Sequence, residues 1–178
     1  MVRRALGLLL AAAVVVPVLA DEYKLNGDNT KVTFVGTKKG GRHDGGFKLV
    51  TGTATVNGTD PTTGRVAVEI DMNSTWTDTE KLTRHLMSPD FFGVKTNPKS
   101  KFVSTKIEKA KDGYTVTGDL TLNGKTKSIT FPAQIAVKDG TLSVSADFSI
   151  NRHDWGVSYG KGMVNDDVAL KLRVHAKK

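Results

Sequence analysis

From about Thr30 to the C-terminus, apolar and polar residues alternate with a period of two, and this pattern limits the fold more than any other feature. Val32 and Phe34 share one parity, as do Val66, Val68, Ile70 and Met72. Tyr114, Val116, Leu120 and Leu122 form another such run, with Gly118 between. Ile129 to Val137, Leu142 to Ile150 and Val168 to Ala176 repeat the pattern, the last facing away from Lys171, Arg173, His175 and Lys177. Successive side chains of a strand point to opposite faces, so this spacing predicts strands with one apolar face. Asp60-Pro61-Thr62-Thr63-Gly64 reads as a loop. Asp112-Gly113, Asn123-Gly124 and Asp139-Gly140 read as tight hairpins, because those residues tolerate the positive φ that two-residue turns demand. Eight strands are expected, near 31–38, 46–57, 65–73, 100–109, 113–122, 125–138, 141–150 and 166–176. Short connections make neighbours antiparallel. An all-β, eight-stranded antiparallel barrel satisfies such a set, since closure removes the sheet edges; a sandwich is the other arrangement.

One segment departs from the alternation. Between Ser74 and Asn97, Leu82, His85 and Leu86 fall at helical spacing. Thr77 or Asp78 is placed to cap a helix, and Ser88-Pro89 to open a helical turn carrying Phe91 and Phe92. A short helix and a helical turn are therefore expected after the third strand.

The N-terminus is an address. Arg3 and Arg4 precede an uncharged apolar run, Ala5 to Val16, and Pro17-Val18-Leu19-Ala20 supplies a break before Asp21. This is the anatomy of a secretory signal peptide cleaved near Ala20, and the run is short for a membrane span. The expected organisation is a signal peptide at 1–20 and one domain at 21–178, with a periplasmic or secreted location. Loss of Arg3 and Arg4 takes the net charge from +8 to +6. That basic excess suggests attraction to anionic head groups and peripheral contact with a membrane. Nucleic acid is not an expected partner, for no basic stripe carries interleaved aromatics. The absence of cysteine removes disulfides, thiolate-held metals and a Cys nucleophile.

Several segments resemble the YceI family. Leu86-Met87-Ser88-Pro89-Asp90-Phe91-Phe92 is similar to its L-x-S-x-D-F-F signature, and Asn97-Pro98 through Phe102, Ser104 and Thr105 to the segment that follows it. Gly118 to Lys127 resembles the family's G-x-L-T hairpin, and Asn151-Arg152-His153-Asp154-Trp155-Gly156-Val157 its Arg-containing turn. Residues 36–46 depart from the family's usual pattern, in which a His closes the first strand; here His43 comes later, in a Gly-rich stretch. The resemblance implies a lipocalin-like barrel, exported to the periplasm, that holds a long isoprenoid or related lipid, without enzymatic activity, cofactor or metal. By the same analogy the chain forms a homodimer.

The candidate ligand-binding residues are the inward aromatics Phe34, Phe47, Phe102, Phe131 and Phe148, then Leu86, Met87, Phe91 and Phe92 on the inserted segment, and Arg152 and Trp155. Each has a plainer reading. The phenylalanines, Leu86 and Met87 also suit a packed core, and Trp155 beside Gly156 suits packing on backbone. Arg152 suits either a bidentate grip on a head group or an ion pair with Asp154, Asp90 or another carboxylate. Lys38, Lys39 and Arg42 around Gly40-Gly41 form a basic loop that either receives an anion or is simply solvated. The histidines at 43, 85, 153 and 175 lack metal-ligand spacing, and no serine sits in a nucleophile-elbow context. Gly36 and Gly118 are expected to leave gaps in the lumen. Three readings follow: a lipid carrier or sequestering protein, a lipid-modifying enzyme on the same barrel, and a packed barrel without ligand.

Overall fold

The alternating runs form antiparallel strands in the computed structural model, which describes residues 20–178. The expected signal segment, apart from Ala20, lies outside the described residues. The strands are β1 (Asp21–Asn26), β2 (Thr30–Lys38), β3 (Gly41–Phe47), β4 (Val50–Asn57), β5 (Asp60–Asp71) and β6 (Thr75–Thr77). After a helix, α1 (Glu80–Met87), come β7 (Lys99–Ala110), β8 (Gly113–Leu122), β9 (Lys125–Lys138), β10 (Thr141–Asn151) and β11 (Asp167–Lys177). They pair in the order β1-β4-β5-β7-β8-β9-β10-β11-β2-β3-β6.

The described residues thus hold eleven strands where eight were expected. β1 carries only Tyr23 and Leu25 as apolar residues, too short a run to stand out, yet both are buried. β3 replaces the expected Gly-rich loop. Its glycines hide the alternation because they are required by packing: a Cβ on Gly45 would come within 2.6 Å of the Phe34 ring. The expected strand 46–57 is interrupted at Lys48-Leu49 and divides between β3 and β4. The expected loop at Asp60–Gly64 belongs to β5, and the turn instead falls at Gly58-Thr59, with Gly58 at φ 59°.

Two corners convert this sheet into a barrel. At Gly27–Asn29 the chain turns from β1, paired with β4, into β2, paired with β11. Asn26 and Asn29 side chains hydrogen-bond the corner's backbone, and Gly27 sits where a side chain would strike the Lys48 carbonyl. The second corner lies in β9, which pairs with β8 from Lys125 to Ala133 and with β10 only from Gln134 to Lys138. Closer to α1, β9 and β10 part. Phe131 and Phe148 stack across this seam, with centroids 4.2 Å apart and planes at 9°. A one-turn 3-10 helix, Arg152–Trp155, fills the remainder, and the Trp155 indole donates to the Leu120 carbonyl at 3.0 Å.

The inserted segment closes one end. Thr79, rather than Thr77 or Asp78, caps α1, its hydroxyl accepting from the Leu82 N–H at 3.3 Å. Residues Ser88 to Thr96 form hydrogen-bonded turns that return the chain to β7. At the other end, the floor, Tyr23, Leu25, Ala54, Val56, Leu142, Val174 and Ala176 make a tight apolar cluster. An ion pair between Lys178 and Asp21 ties the two chain ends of the barrel together there.

The glycine packing gives a direct test. Gly45→Ala forces a methyl against the Phe34 ring and should cost about 1–3 kcal/mol. Gly36→Ala meets nothing within 4 Å and should be neutral or slightly stabilising. Urea midpoints of the two variants check this; equal shifts would contradict the packing described.

Candidate functional site

Because each strand presents its odd or even residues inward, the lumen is lined from every side by side chains of one parity. Between the floor cluster and α1 lies an internal cavity of about 150 Å³. Ala54, Val68, Ile107, Val116, Ile135, Leu142, Leu172 and other aliphatic residues border it, together with Phe102, Phe131 and Phe148. No acidic residue, histidine or cysteine is among the bordering residues. Thr30, one of the few polar ones, is satisfied by donating to the Asn29 side chain at 2.9 Å. Lys171 also borders it, but its ammonium acts on Asp44 and Asp147 outside the barrel.

The eleven candidate residues do not form one group. Phe102, Phe131 and Phe148 border the cavity. Phe34, Leu86 and Phe91 join Val157 in a separate buried cluster, with Phe47, Leu82, Phe92, Val168 and Leu170 packed around it. Leu170 belongs to this cluster and to the cavity wall alike, so the cluster sits as an apolar plug between the cavity and α1. Its rings interlock: Phe34 to Phe47 at 5.7 Å, Phe47 to Phe92 at 6.3 Å, and Phe91 to Tyr159 at 5.2 Å. Met87 is half-buried on α1, its carbonyl accepting from the Val94 N–H.

The two expected gaps differ. The Phe102 ring lies directly over Gly118, 2.5 Å from where a Cβ would stand, so that gap is filled. Gly36, of the same parity as Phe34 and paired with His43, leaves open space, with nothing within 4 Å of where a Cβ would stand.

Arg152 and Trp155 are buried, at 5% and 1% exposure. The Arg152 guanidinium donates to the carbonyls of Val157 (2.9 Å), Tyr159 (2.7 Å), Val164 (3.2 Å) and Asn165 (3.1 Å). Asp166 lies 3.6 Å away. A fixed fork of donors is well matched to a loop whose carbonyls converge, and the charge offsets the cost of burying them. Arg152 therefore holds the segment 157–165 in shape over the end of the barrel.

The histidines pair with nearby carboxylates at this end: His43 with Asp78 (3.0 Å), His85 with Asp90 (3.0 Å) and His153 with Asp166 (2.6 Å). His175 is exposed on β11 beside Ser143. None of the four borders the cavity. The groups whose ionisation is displaced also lie outside it. Arg42 holds the Asp44 carboxyl below its ordinary range through a hydrogen bond, Arg173 does so for Asp147, and Lys99 for Glu69. All three carboxylates face solvent, where screening keeps such pairs weak.

The aliphatic lining, Leu25, Ile70, Leu120, Ile129 and Val144 among it, was absent from the candidate residues, although strand parity points each of them inward. Strand parity is the signal that marks these residues.

The fold and site define a class: an antiparallel β-barrel with an apolar internal cavity. The YceI-like domain family matches residues 23–176, and the chain belongs to that family. A UPF0312 protein of Serratia proteamaculans is 33% identical over 136 residues, covering 73% of this chain and 71% of the relative. Protein YceI of Salmonella newport is 31% identical with the same coverage. Among solved structures, BcnA of Burkholderia cenocepacia has a TM-score of 0.75 at 28% identity, covering 83% of this chain and 96% of its own. A polyisoprenoid binding domain from Saccharophagus degradans has a TM-score of 0.70 at 14% identity, covering 89% and 99%, and shares the fold.

Replacing Arg152 by Met would leave one buried and three partly buried carbonyls without their donor. Stability should fall by about 3 kcal/mol, and limited proteolysis should cut first within 157–165. A variant with unchanged denaturation and cleavage would contradict the role assigned to Arg152.

Proposed function

We propose that the protein is a non-catalytic lipid-binding barrel that takes the hydrocarbon portion of a polyisoprenoid or similar long-chain amphiphile, in a carrier or sequestering role. The observation that carries this reading is the cavity within the barrel, with its aliphatic and aromatic wall. Such a wall offers a hydrocarbon chain relief from water at roughly 0.8 kcal/mol per methylene, and offers a polar group nothing. The reading is further supported by the shared fold of the polyisoprenoid binding domain. No acidic residue or histidine borders the cavity, and the one ammonium there, that of Lys171, acts on Asp44 and Asp147 outside the barrel, which favours binding over acid–base chemistry.

Size refines the proposal. A cavity of about 150 Å³ suits a benzene-sized group, whereas pockets for whole ligands run from about 300 to 1,000 Å³. The cavity therefore receives the end of the chain. A longer lipid extends the lumen by displacing the plug of Phe34, Phe47, Phe91 and Phe92, with Leu86 and Met87 moving as α1 lifts. Phe102, Phe131 and Phe148 line the cavity on the side where β9 and β10 part. Trp155 and Arg152 keep the seam and the covering loop in place, and the head group stays outside.

Export fits the architecture. β1 begins at Asp21, paired with Val56, so a cut after Ala20 spares the whole barrel. N-terminal sequencing of protein recovered from the periplasm should begin at Asp21.

The test of binding is solvent extraction of purified protein followed by mass spectrometry, with titration of farnesol and longer polyprenols in solution. Ala54→Leu adds three carbons to the wall and should weaken polyprenol binding by on the order of fiftyfold. Failure of every polyprenol and fatty alcohol to bind, or undiminished binding by a folded Ala54→Leu variant, would overturn the proposal.

A further inference from the structure

The edge of the barrel beside α1 carries side chains that the cavity does not use. Two segments meet there, the β2–β3 hairpin and the loop after the 3-10 helix. The N–H of Asn165 donates to the Thr37 carbonyl at 2.9 Å, its side-chain amide donates to the Thr37 hydroxyl at 2.6 Å, and Lys38 bridges to Val164. They form one continuous rim.

The chemistry of this rim is unlike the rest of the surface. Residues 36–42 and 156–165 contain Lys38, Lys39, Arg42 and Lys161 and no acidic side chain. Arg42 is partly neutralised by Asp44, while the three lysines have no carboxylate partner among the ion pairs of the described residues. Four large apolar side chains are markedly exposed in the described structure, and two of them, Met163 at 69% and Tyr159 at 46%, stand on this rim. The other two, Leu49 and Val103, stand singly elsewhere. At the floor end the hairpin tips place Lys111 beside Asp112 and Lys138 beside Asp139, and no exposed large apolar residue accompanies them.

The rim is also built to hold its shape. Arg152 grips the carbonyls of Tyr159 and Val164 on either side of Met163. Gly160 and Gly162, at φ 67° and 81°, make the turn that lifts Lys161 and Met163 outward. A preordered loop that keeps an apolar tip in water between lysines gains little from solution. It gains from an interface where the tip enters hydrocarbon and the ammonium groups meet anionic head groups.

We infer that the rim formed by residues 36–42 and 156–165 is a docking edge for an anionic lipid bilayer, with Met163 and Tyr159 inserted and Lys38, Lys39 and Lys161 at the head groups. Docking this way turns α1 and the plug toward the membrane. The inference rests on other residues than the cavity and can fail independently of lipid binding, which is measured with polyprenols in the absence of vesicles.

The experiment is co-sedimentation of the purified protein with phosphatidylglycerol/phosphatidylcholine vesicles against pure phosphatidylcholine. Binding to the anionic vesicles alone is expected, weakening as salt is raised. Each lysine contributes about fivefold. The triple variant Lys38→Glu/Lys39→Glu/Lys161→Glu should therefore lose on the order of a hundredfold or more, whereas the charge-matched Lys111→Glu/Lys138→Glu/Lys177→Glu should lose much less. Since the chain has no cysteine, Met163→Cys and Val103→Cys each accept one environment-sensitive fluorophore; only the label at 163 should shift to the blue on anionic vesicles. Absence of vesicle binding at low salt, equal losses in the two charge variants, or equal shifts at both labels would overturn the inference. So would recruitment of the rim by an acidic protein with no affinity for vesicles.

Discussion

A strand with one apolar face is stable in water only if that face is covered, and here the sheet covers itself. This shelter depends on the two corners. At Gly27–Asn29 one continuous stretch of chain leaves β4 and joins β11, which brings the sheet's two halves face to face. The bend in β9 does the same on the opposite side. Inward residues from all around then meet, and outward residues stay in solvent as lysines, threonines and ion pairs. Without the corners the same strands would present an open apolar surface and unpaired edges.

Closing a sheet this way splays strands where it bends, and the molecule seals the openings with side chains instead of backbone hydrogen bonds. Phe131 and Phe148 stack across the β9–β10 seam, and Trp155 with its short helix closes the remainder. Glycine is part of the same solution. Gly45 and Gly118 give up their side chains so that the rings of Phe34 and Phe102 can lie flat against the wall. The lumen that remains is narrow and divided: an apolar cavity toward the floor and a plug of interlocked rings beneath α1. Apolar contacts of this sort are individually weak and interchangeable, as the proposed displacement of the plug by a hydrocarbon chain requires.

Arg152 links the barrel wall to the loop above it. A buried cation in an apolar barrel would be costly alone; four convergent carbonyls make it a structural hub. The loop's shape in turn sets which side chains face outward at the rim. Packing, charge and surface chemistry at this end therefore depend on a single side chain that reads in sequence as a ligand contact or an ion-pair partner.

Alternation by itself determined that this chain is an antiparallel β protein, which residues of the longer strands face inward, and where several hairpins turn, because the period of two is a local property of the backbone. The helix after the third expected strand was legible for the same reason. β1, β3 and β6 were not, since two are short and the third is written in glycines whose purpose is a contact with Phe34, distant in sequence. Nor did spacing separate the aromatics that border the cavity from those that form the plug, because parity says which face a residue takes and not how far along the barrel it sits. Only the tertiary structure decided that Gly118 is filled and Gly36 open, and that Arg152 spends its donors on its own loop. Those outcomes are set by which side chains from remote strands arrive at the same place, and no local pattern encodes that.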